Sequence, residues 1–347
     1  MTGEPCIGVE HRPHCYLCGS PGNRLYGGLR DGLYNAPGRW NLSSCRRCGL
    51  VWLDPRPLPE EIWKTYGTYC THSAAPSGSS PRLARLRNRI GEAVLATCYG
   101  YERNRGDTPL RGIPAGLCRA AFVRDIYGIP IMGLRAAWRG RLLDVGCGDG
   151  AFLARMNRLG WETVGVEPDA KAADRAKAHF GVDVIAGTLD QADFPDGSFD
   201  AITLSHVVEH LAEPAETLRR CWQLLRKGGR IMVTSPNAQS LGHRIFREHW
   251  RGLEVPRHLL IFSLHTLRRM AADAGFATAA LRTSARGAHA LYLESRLLKA
   301  GKWTENPWPR AGGRLKMESL LFQLLEEAVG AVRKTAGEEL FFEGIKP

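Results

Sequence analysis

The sequence lacks any run of eighteen or more apolar residues, and its first eighteen residues are polar and contain cysteine. A transmembrane helix needs about 20 mostly apolar residues, and a secretory signal peptide needs an apolar stretch near the N-terminus. The sequence therefore predicts neither. Acidic residues are fewer than basic ones: the chain has 35 Asp and Glu and 47 Lys and Arg, which gives a formal net charge of +12. With 44% hydrophobic residues in 347, we expect a folded, basic, cytoplasmic protein.

Lysine is absent from residues 82–141, which contain twelve arginines and four acidic residues and so carry a net charge of +8. Such a segment can face an anionic substrate, nucleic acid or a membrane surface, or it can be the solvated face of ordinary helices. Interleaved aromatic residues favour partly buried helices over a disordered arm. We expect a basic helical lid segment at 76–139.

Ten cysteines are present, and four of them form two C-x-x-C pairs, each followed by glycine: Cys15, Cys18, Cys45 and Cys48. Two such turns can share one tetrahedral zinc ion as a zinc knuckle. Four thiolates leave no open position for chemistry, so this zinc would be structural. The alternative is two unrelated pairs of reduced cysteines. A stretch rich in Ser, Ala, Gly and Pro then predicts a boundary near residue 75, which gives a zinc-binding module with its connector at 1–75.

A glycine-rich turn follows a predicted strand ending in aspartate, in the run Leu142-Leu143-Asp144-Val145-Gly146-Cys147-Gly148-Asp149-Gly150. Glycine permits a turn with positive φ and lets a ligand lie against bare backbone. Gly146, Gly148 and Ala151 also match the dinucleotide fingerprint, so this run alone leaves a dehydrogenase open. A second predicted strand ends in Glu167, about 20 residues after the glycine turn, which is the spacing of an acid that binds a ribose diol. A dehydrogenase and any other enzyme with a nucleoside-containing cofactor both require such an acid, so Glu167 does not distinguish them.

The motifs that follow separate these alternatives. They are the runs Phe194-Pro195-Asp196-Gly197-Ser198-Phe199-Asp200 and Leu225-Arg226-Lys227-Gly228-Gly229-Arg230-Ile231. In this order they resemble the class I S-adenosylmethionine (SAM) methyltransferases, over roughly residues 140–285 and the last ten. The resemblance implies an α/β fold with a doubly wound, mostly parallel seven-stranded sheet at 140–347. A helical insertion would occupy about 286–333, and a C-terminal strand would close the sheet.

The resemblance also implies SAM as cofactor and assigns residues to it. Asp144 would anchor the glycine turn or, through water, contact the methionine ammonium, while Glu167 would accept hydrogen bonds from both ribose hydroxyls. The adenine would lie near Leu189 and Asp190. The predicted cofactor-binding residues are Asp144, Gly146, Cys147, Gly148, Glu167, Pro168, Leu189, Asp190, Ser205 and His206.

His206, Glu209 and His210 are spaced so that a helix beginning by Ser205 would place them on one face. This place resembles the E-x-x-E-H run of the ubiquinone-biosynthesis O-methyltransferases and the small-RNA 2′-O-methyltransferases, which bind a divalent cation together with a later histidine. Here His206 replaces the first glutamate, and His258 is the later candidate. Three imidazoles and one carboxylate would favour zinc, iron or manganese over magnesium. Alternatively no metal binds, and His206 or His210 is the catalytic proton acceptor.

The sequence thus predicts a SAM-dependent methyltransferase that acts on an oxygen of a small-molecule or lipid-linked acceptor, and the basic segment favours an anionic one. N-terminal double C-x-x-C modules also occur in sugar C-methyltransferases, so carbon methylation of a nucleotide-linked sugar is an alternative. An RNA-binding protein or RNA modifier is another. Dispersed arginines, without a legible recognition helix, argue against nucleic acid as the partner.

An apolar stripe at helical spacing lies in the predicted insertion, at Met317, Leu320, Leu321, Leu324, Leu325, Ala328, Val329 and Val332. Such a stripe is typical of a helix packed on the core. Beside Trp303, Trp308 and the arginine-rich segment, it could instead rest on a bilayer. The sequence therefore leaves peripheral contact with the inner face of a membrane open.

Overall fold

The structure is a computed structural model that describes residues 7–66, 81–102 and 114–347. The predicted boundary near residue 75 and part of the arginine-rich segment lie outside the described residues. The chain forms two compact units. Unit 1 comprises Met1–Cys70, His206–Arg219 and Val233–Gly344, and unit 2 comprises Thr71–Ser205, Arg220–Met232 and Ile345–Pro347. The division predicted from the sequence, and the role of residues 76–139 as a lid, stay predictions.

The strands are β1 (Val9–Glu10), β2 (Asn23–Leu29), β3 (Trp40–Ser44), β4 (Val51–Leu53), β5 (Arg56–Pro57), β6 (Arg141–Val145), β7 (Glu162–Glu167), β8 (Val184–Ala186), β9 (Phe199–Ser205), β10 (Leu225–Pro236), β11 (Leu260–Ile261), β12 (Ala277–Ser284) and β13 (Glu339–Ile345). The helices are α1 (Pro81–Tyr99), α2 (Ala115–Arg119), α3 (Ala121–Gly128), α4 (Ala151–Arg158), α5 (Ala170–Phe180), α6 (Pro214–Leu224), α7 (Leu241–Phe246), α8 (Leu264–Asp273), α9 (Ala288–Lys299) and α10 (Gly313–Val332). Short 3-10 helices span Pro59–Tyr66, Ile129–Ile131, Ala136–Trp138, Leu189–Gln191, Arg247–His249 and Arg251–Leu253.

A seven-stranded sheet has the order β12-β13-β10-β9-β6-β7-β8. Strand β6 pairs in parallel with β9 on one side and with β7 on the other, and β7 pairs in parallel with β8. Strand β13 is antiparallel to β10, since the amide of Gly228 donates to the carbonyl of Lys346 and the amide of Asn237 donates to that of Glu338. The predicted α/β fold with a mostly parallel seven-stranded sheet and a closing C-terminal strand is confirmed.

The parallel strands of unit 2 are buried because helices cover them. Strand β6 is apolar apart from its first residue and Asp144, as expected for a strand covered on both faces. Helices α4 and α5 pack beside β7 and β8, and a cluster that includes Leu153, Ala173 and Val184 fills the space. The carboxyl ends of β6, β7, β8 and β9 all point to one edge of the sheet, which is where ligands bind in open α/β folds.

Unit 1 is built around a four-stranded antiparallel sheet with the order β11-β4-β3-β2. Three of its strands come from the N-terminal segment, whereas β11 comes from more than 200 residues later in the chain. Its core joins residues of both regions, including Trp40, Leu42, Leu53, Trp250 and Ile261. The cysteine-bearing segment therefore shares one hydrophobic core with residues near 250–261.

A fully buried ion pair fixes the loop before β11. The guanidinium of Arg257 donates to both oxygens of Asp31, at 2.7 and 2.9 Å, and neither side chain is exposed to solvent. Arg257 also donates to Glu254 at 3.1 Å and to the carbonyl of Thr65 at 3.0 Å. Burial alone would raise the pKa of Asp31, but the hydrogen bonds and charge of Arg257 outweigh it and lower that pKa.

The outer face of α10, defined as Met317, Leu320, Leu321, Leu324, Leu325 and Val332, is between 46% and 89% exposed. The expectation of a stripe packed on the core is therefore wrong for these residues. The buried side of α10 is more polar and contains Ser319, Phe322, Gln323 and Glu326. Within the described ranges no helix is both long and apolar enough to cross a membrane.

We expect Asp31→Ala to lower the free energy of unfolding by about 3–5 kcal/mol, because it leaves the buried guanidinium of Arg257 without a counter-charge. Urea unfolding of the full chain, followed by circular dichroism, measures the change. The control is Glu162→Ala, which removes the partner of Arg141 in an exposed ion pair and should cost at most about 1 kcal/mol. Equal effects of the two variants would contradict this prediction.

Candidate functional site

The glycine turn after β6 is held against β7. The amide of Gly146 donates to the carbonyl of Val166 at 2.8 Å, and Gly146, Gly148 and Gly150 all have positive φ. A Cβ on Gly150 would lie 2.8 Å from the Cβ of Ala176, so glycine is required there for close packing as well as for its backbone angle. Helix α4 begins directly after this turn. The local sequence thus places bare backbone at the carboxyl end of β6, as predicted.

Glu167 performs the anchoring role that the sequence suggested for Asp144. At the end of β7 its buried carboxylate accepts hydrogen bonds from the amide of Gly148 at 2.8 Å and from that of Asp169 at 3.0 Å. Asp144 instead accepts a hydrogen bond of 2.6 Å from the hydroxyl of Thr203 on β9. Burial and, to a smaller extent, the charge of Glu167 raise the pKa of Asp144 to about 7.

The other residues predicted to contact the cofactor lie at the ends of the same parallel strands. Leu189 and Asp190 form a 3-10 helix after β8, whose start is fixed by a hydrogen bond of 2.9 Å from the amide of Thr188 to the side chain of Gln191. Leu189 is buried, whereas Asp190 is exposed. Pro168 follows Glu167 and is exposed, Cys147 is buried within the glycine turn, and Ser205 ends β9.

The segment after β9 is a turn, so the expectation of a helix beginning by Ser205 is wrong. Helix α6 begins only at Pro214. His206 has a positive φ of 55°, an unusual backbone conformation for a residue with a side chain, and its amide donates to the carbonyl of Thr234 at 3.1 Å. This tertiary hydrogen bond and the left-handed backbone at His206 take the chain out of helical geometry.

His206 contacts two carboxylates. Its Nδ1 lies 3.3 Å from Glu209, and its Nε2 lies 2.9 Å from Glu339 on β13. Desolvation would lower the pKa of His206, whose side chain is still 48% exposed, but the two acids outweigh it and raise the pKa to about 10. A ring that is cationic at neutral pH holds no lone pair for an incoming proton. This geometry therefore favours His210 over His206 as the proton acceptor.

Three of the predicted ligands lie close together although no helix aligns them. Glu209, His210 and His258 each offer one ligand atom, and these atoms lie within 4.8 Å of one another. The Nδ1 atom of His210 lies 3.1 Å from the carbonyl of Arg257, and that of His258 lies 2.8 Å from the carbonyl of Gly252. A carbonyl only accepts, so Nδ1 of His258 carries the proton and its Nε2 keeps a lone pair. Nδ1 of His210 faces the carbonyl of Arg257 and also the hydroxyl of Tyr66 at 2.9 Å, and only the carbonyl requires a proton on Nδ1. Histidine ligands of metals are commonly oriented in this way.

The electrostatics of these three residues also suit a cation. Glu209 is fully buried; its Oε1 faces Nδ1 of His206 at 3.3 Å, and its Oε2 accepts no hydrogen bond from the described residues. The nearby imidazole of His206 lowers the pKa of Glu209 despite its burial, while burial and the adjacent His210 lower the pKa of His258 to about 4. His206 is not a member of this close group. Three of the four predicted ligands are therefore brought together.

Sequence analysis did not single out Tyr66, whose hydroxyl lies 2.9 Å from Nδ1 of His210. Tyr66 ends the 3-10 helix Pro59–Tyr66 and is 144 residues away from that histidine in the chain. No local pattern marks this tyrosine, since its position depends on how the N-terminal segment packs within unit 1. The contact between Tyr66 and His210 therefore becomes visible only in the folded protein.

The four predicted zinc ligands lie together. Sγ of Cys15 is 3.5 Å from that of Cys48, and Sγ of Cys18 is 3.5 Å from that of Cys45. Tetrahedral zinc with bonds of about 2.3 Å separates its thiolates by about 3.8 Å, so these distances fit four ligands of one ion.

The backbones of the two C-x-x-C turns match, which supports the same interpretation. In each turn the glycine that follows, Gly19 or Gly49, has positive φ and donates its amide to the carbonyl of the first cysteine at 2.9 Å. Two equivalent turns that face each other are the expected form of a zinc knuckle.

The central part of the chain is similar to known methyltransferases. A family described as a methyltransferase domain matches residues 124–281. The ubiquinone biosynthesis O-methyltransferase of Nitrobacter winogradskyi is 36% identical over 175 residues, which cover 48% of this chain and 66% of that protein. The corresponding enzyme of Caulobacter sp. is 37% identical over 125 residues, covering 34% of this chain and 47% of that protein.

The mouse mitochondrial ubiquinone biosynthesis O-methyltransferase is 31% identical over 160 residues, covering 40% of this chain and 41% of that protein. The chain thus spans less than two thirds of the length of these relatives. The similarity, the seven-stranded sheet and the glycine turn with its anchoring glutamate agree with one another. Residues 124–281 therefore match a methyltransferase domain, and the central part of the chain is similar in sequence to the ubiquinone-biosynthesis O-methyltransferases.

Proposed function

We propose that this protein is a SAM-dependent methyltransferase that transfers a methyl group to an oxygen of a small-molecule or lipid-linked acceptor. The observation that carries the proposal is the buried carboxylate of Glu167, which holds Gly148 and stands at the carboxyl edge of the parallel sheet. When bound, SAM supplies a methyl group already activated by its sulfonium charge. The protein's main task is then to hold the reacting atoms in line and to exclude water.

The residues of unit 2 fit this cofactor in charge and in shape. Glu167 has oxygens that can accept further hydrogen bonds from a ribose diol, as a carboxylate has about four acceptor positions. Asp144 is fully buried, and a cationic ammonium or sulfonium nearby would favour its ionised form. Gly146 and Gly148 would leave space for the ligand, and Leu189 with Asp190 would meet the adenine.

His210 is the residue that we assign to proton transfer in the absence of a second metal. In the tautomer that donates its Nδ1 proton to the carbonyl of Arg257, Nε2 of His210 would be available to accept the acceptor's hydroxyl proton. Tyr66 would help to hold the ring in this orientation. His206 would contribute a positive charge, which suits an anionic acceptor.

A divalent transition metal bound by Glu209, His210 and His258 is the second form of this proposal. The buried carboxylate of Glu209, whose Oε2 accepts no hydrogen bond from the described residues, and the two nearby imidazoles support it. Nitrogen ligands favour zinc, iron or manganese over magnesium. Glu209, His210 and His258 would supply three ligand atoms, so an oxygen of the acceptor could serve as a further ligand.

The methyltransferase proposal is tested with SAM labelled in its methyl group and an extract of the source organism. We expect label in the lipid or small-molecule fraction, and we expect Glu167→Gln to lower SAM affinity by about 10–100-fold, because it weakens charge-assisted hydrogen bonds. Glu162→Gln, at the exposed start of the same strand, is the matched control and should bind normally. Label in nucleic acid or in nucleotide-linked sugars would refute the proposed acceptor class.

We expect the purified protein to contain one zinc ion per chain at the four thiolates. Elemental analysis should show that the double variant Cys15→Ser, Cys48→Ser loses this zinc and melts at a lower temperature, because the ion joins two separate turns. Cys98→Ser, which changes a cysteine outside the group, should keep it. Full zinc retention by the double variant would rule out this site.

A second metal would be detected by equilibrium dialysis with zinc or manganese. We expect His258→Ala and Glu209→Gln to reduce binding at this site by at least about 10-fold, while the zinc at the cysteines stays in place. His249→Ala is the control, as it removes a surface histidine. If the unchanged protein binds only one metal ion per chain, the metal-free form of the proposal stands.

A further inference from the structure

Helix α10 has an inverted distribution of polarity. Its outer face consists of exposed Met, Leu and Val side chains, while Gln323 and Glu326 on the opposite side are buried. The 20 residues of the helix span about 30 Å. Large contiguous apolar surfaces are rare on soluble proteins and usually mark an interaction site.

Polar contacts on the inner side fix the rotation of α10. The side chain of Gln323 donates to the carbonyl of Ala285 at 2.7 Å and accepts from the amide of His289 at 3.1 Å. Phe322 packs beside Tyr292, with ring centroids 5.0 Å apart. Turning the helix to bury its leucines would break these contacts, so the outer face is held outward.

The charges around the outer face are positive. Arg310 and Arg314 lie exposed at one end of α10, and Arg333 and Lys334 lie exposed at the other. The acidic residues of the helix are engaged elsewhere: Glu318 pairs with Arg314 and Arg296, Glu326 is buried, and Glu327 accepts from Gln323. An apolar face with cations at both ends complements an anionic lipid surface, because the apolar side chains can enter the acyl region while the cations contact the headgroups.

A groove beside the helix has the same chemistry. It has a volume of about 330 Å³ and is lined by Arg296, Lys299 and the apolar residues Leu297, Ala300 and Leu315. Cationic and apolar groups thus lie next to each other in this groove, as they do at the ends of α10. A phospholipid presents the matching pair, an anionic headgroup next to acyl chains.

Packing of two copies through this face is less favourable. In an antiparallel pair of helices centred on Leu324, Arg314 of each copy would face Arg333 and Lys334 of the other. Positive charges would then outnumber negative ones at both ends, since Glu318 of each copy already contacts both Arg314 and Arg296.

We propose that the outer face of α10 docks onto an anionic lipid bilayer, with its leucines in the interface and its flanking cations at the headgroups. This inference does not depend on the proposed methyl transfer. The face lies along the surface, because no described helix can cross a membrane. Docking would combine burial of apolar side chains with attraction of Arg333 and Lys334 to the lipid charge.

The test is co-sedimentation of the full chain with vesicles of phosphatidylcholine alone or with 30% phosphatidylglycerol. We expect binding to the anionic vesicles only. Leu321→Gln with Leu324→Gln should weaken it by about 30-fold, as two half-exposed leucines lose their burial. Arg333→Gln with Lys334→Gln should weaken it by about 10-fold or more. The matched control is Val9→Gln with Ile245→Gln, which alters two exposed apolar residues outside both α10 and the arginine-rich segment and should not change binding.

Because the substituted side chains are exposed, each variant should keep the melting temperature of the unchanged protein. No binding to anionic vesicles, or equal binding by the Leu321/Leu324 variant, would overturn the proposal. Sedimentation equilibrium without lipid gives a separate check. A dimer that the Leu321/Leu324 variant dissociates would assign this face to a second copy instead and would equally overturn it.

Discussion

The buried ion pair of Arg257 and Asp31 is the interaction on which unit 1 depends most. Removing two charges from water is costly, and the cost is offset here by two short hydrogen bonds and further contacts to Glu254 and Thr65. The pair connects residue 31, in the N-terminal segment, to the loop that precedes β11. That loop carries His258, and the carbonyl of Arg257 itself orients His210. The histidine geometry is thus a consequence of the ion pair.

Much of the site could be predicted because its determinants are local. The glycine turn, Glu167 at the end of its strand and the two C-x-x-C pairs are each encoded within a few residues, and the structure places them as expected. That Glu167 rather than Asp144 anchors the glycine turn was not predictable. It depends on Thr203 of the neighbouring strand, which takes Asp144 as its hydrogen-bond acceptor.

Other features could not be read from the sequence because they depend on distant contacts. The spacing of His206, Glu209 and His210 predicts a helix, but the hydrogen bond of His206 to Thr234 belongs to the folded sheet. Likewise, the stripe of α10 predicts a buried face, and the periodicity alone cannot tell which side of the helix packs. Gln323 decides this by bonding to Ala285 and His289. Local pattern gives the elements, and long-range polar contacts decide their orientation.

The pairing of β11 with β4 has a consequence for synthesis of the protein. Val51 is opposite Ile261, so 210 residues must be added after Val51 before its partner exists. At roughly 5–20 residues per second this takes on the order of 10–40 s. During that interval one edge of the N-terminal sheet has no partner strand, and its apolar residues lack the core that Trp250 and Ile261 later complete. The nascent N-terminal segment is therefore exposed to aggregation and to capture by chaperones during this interval.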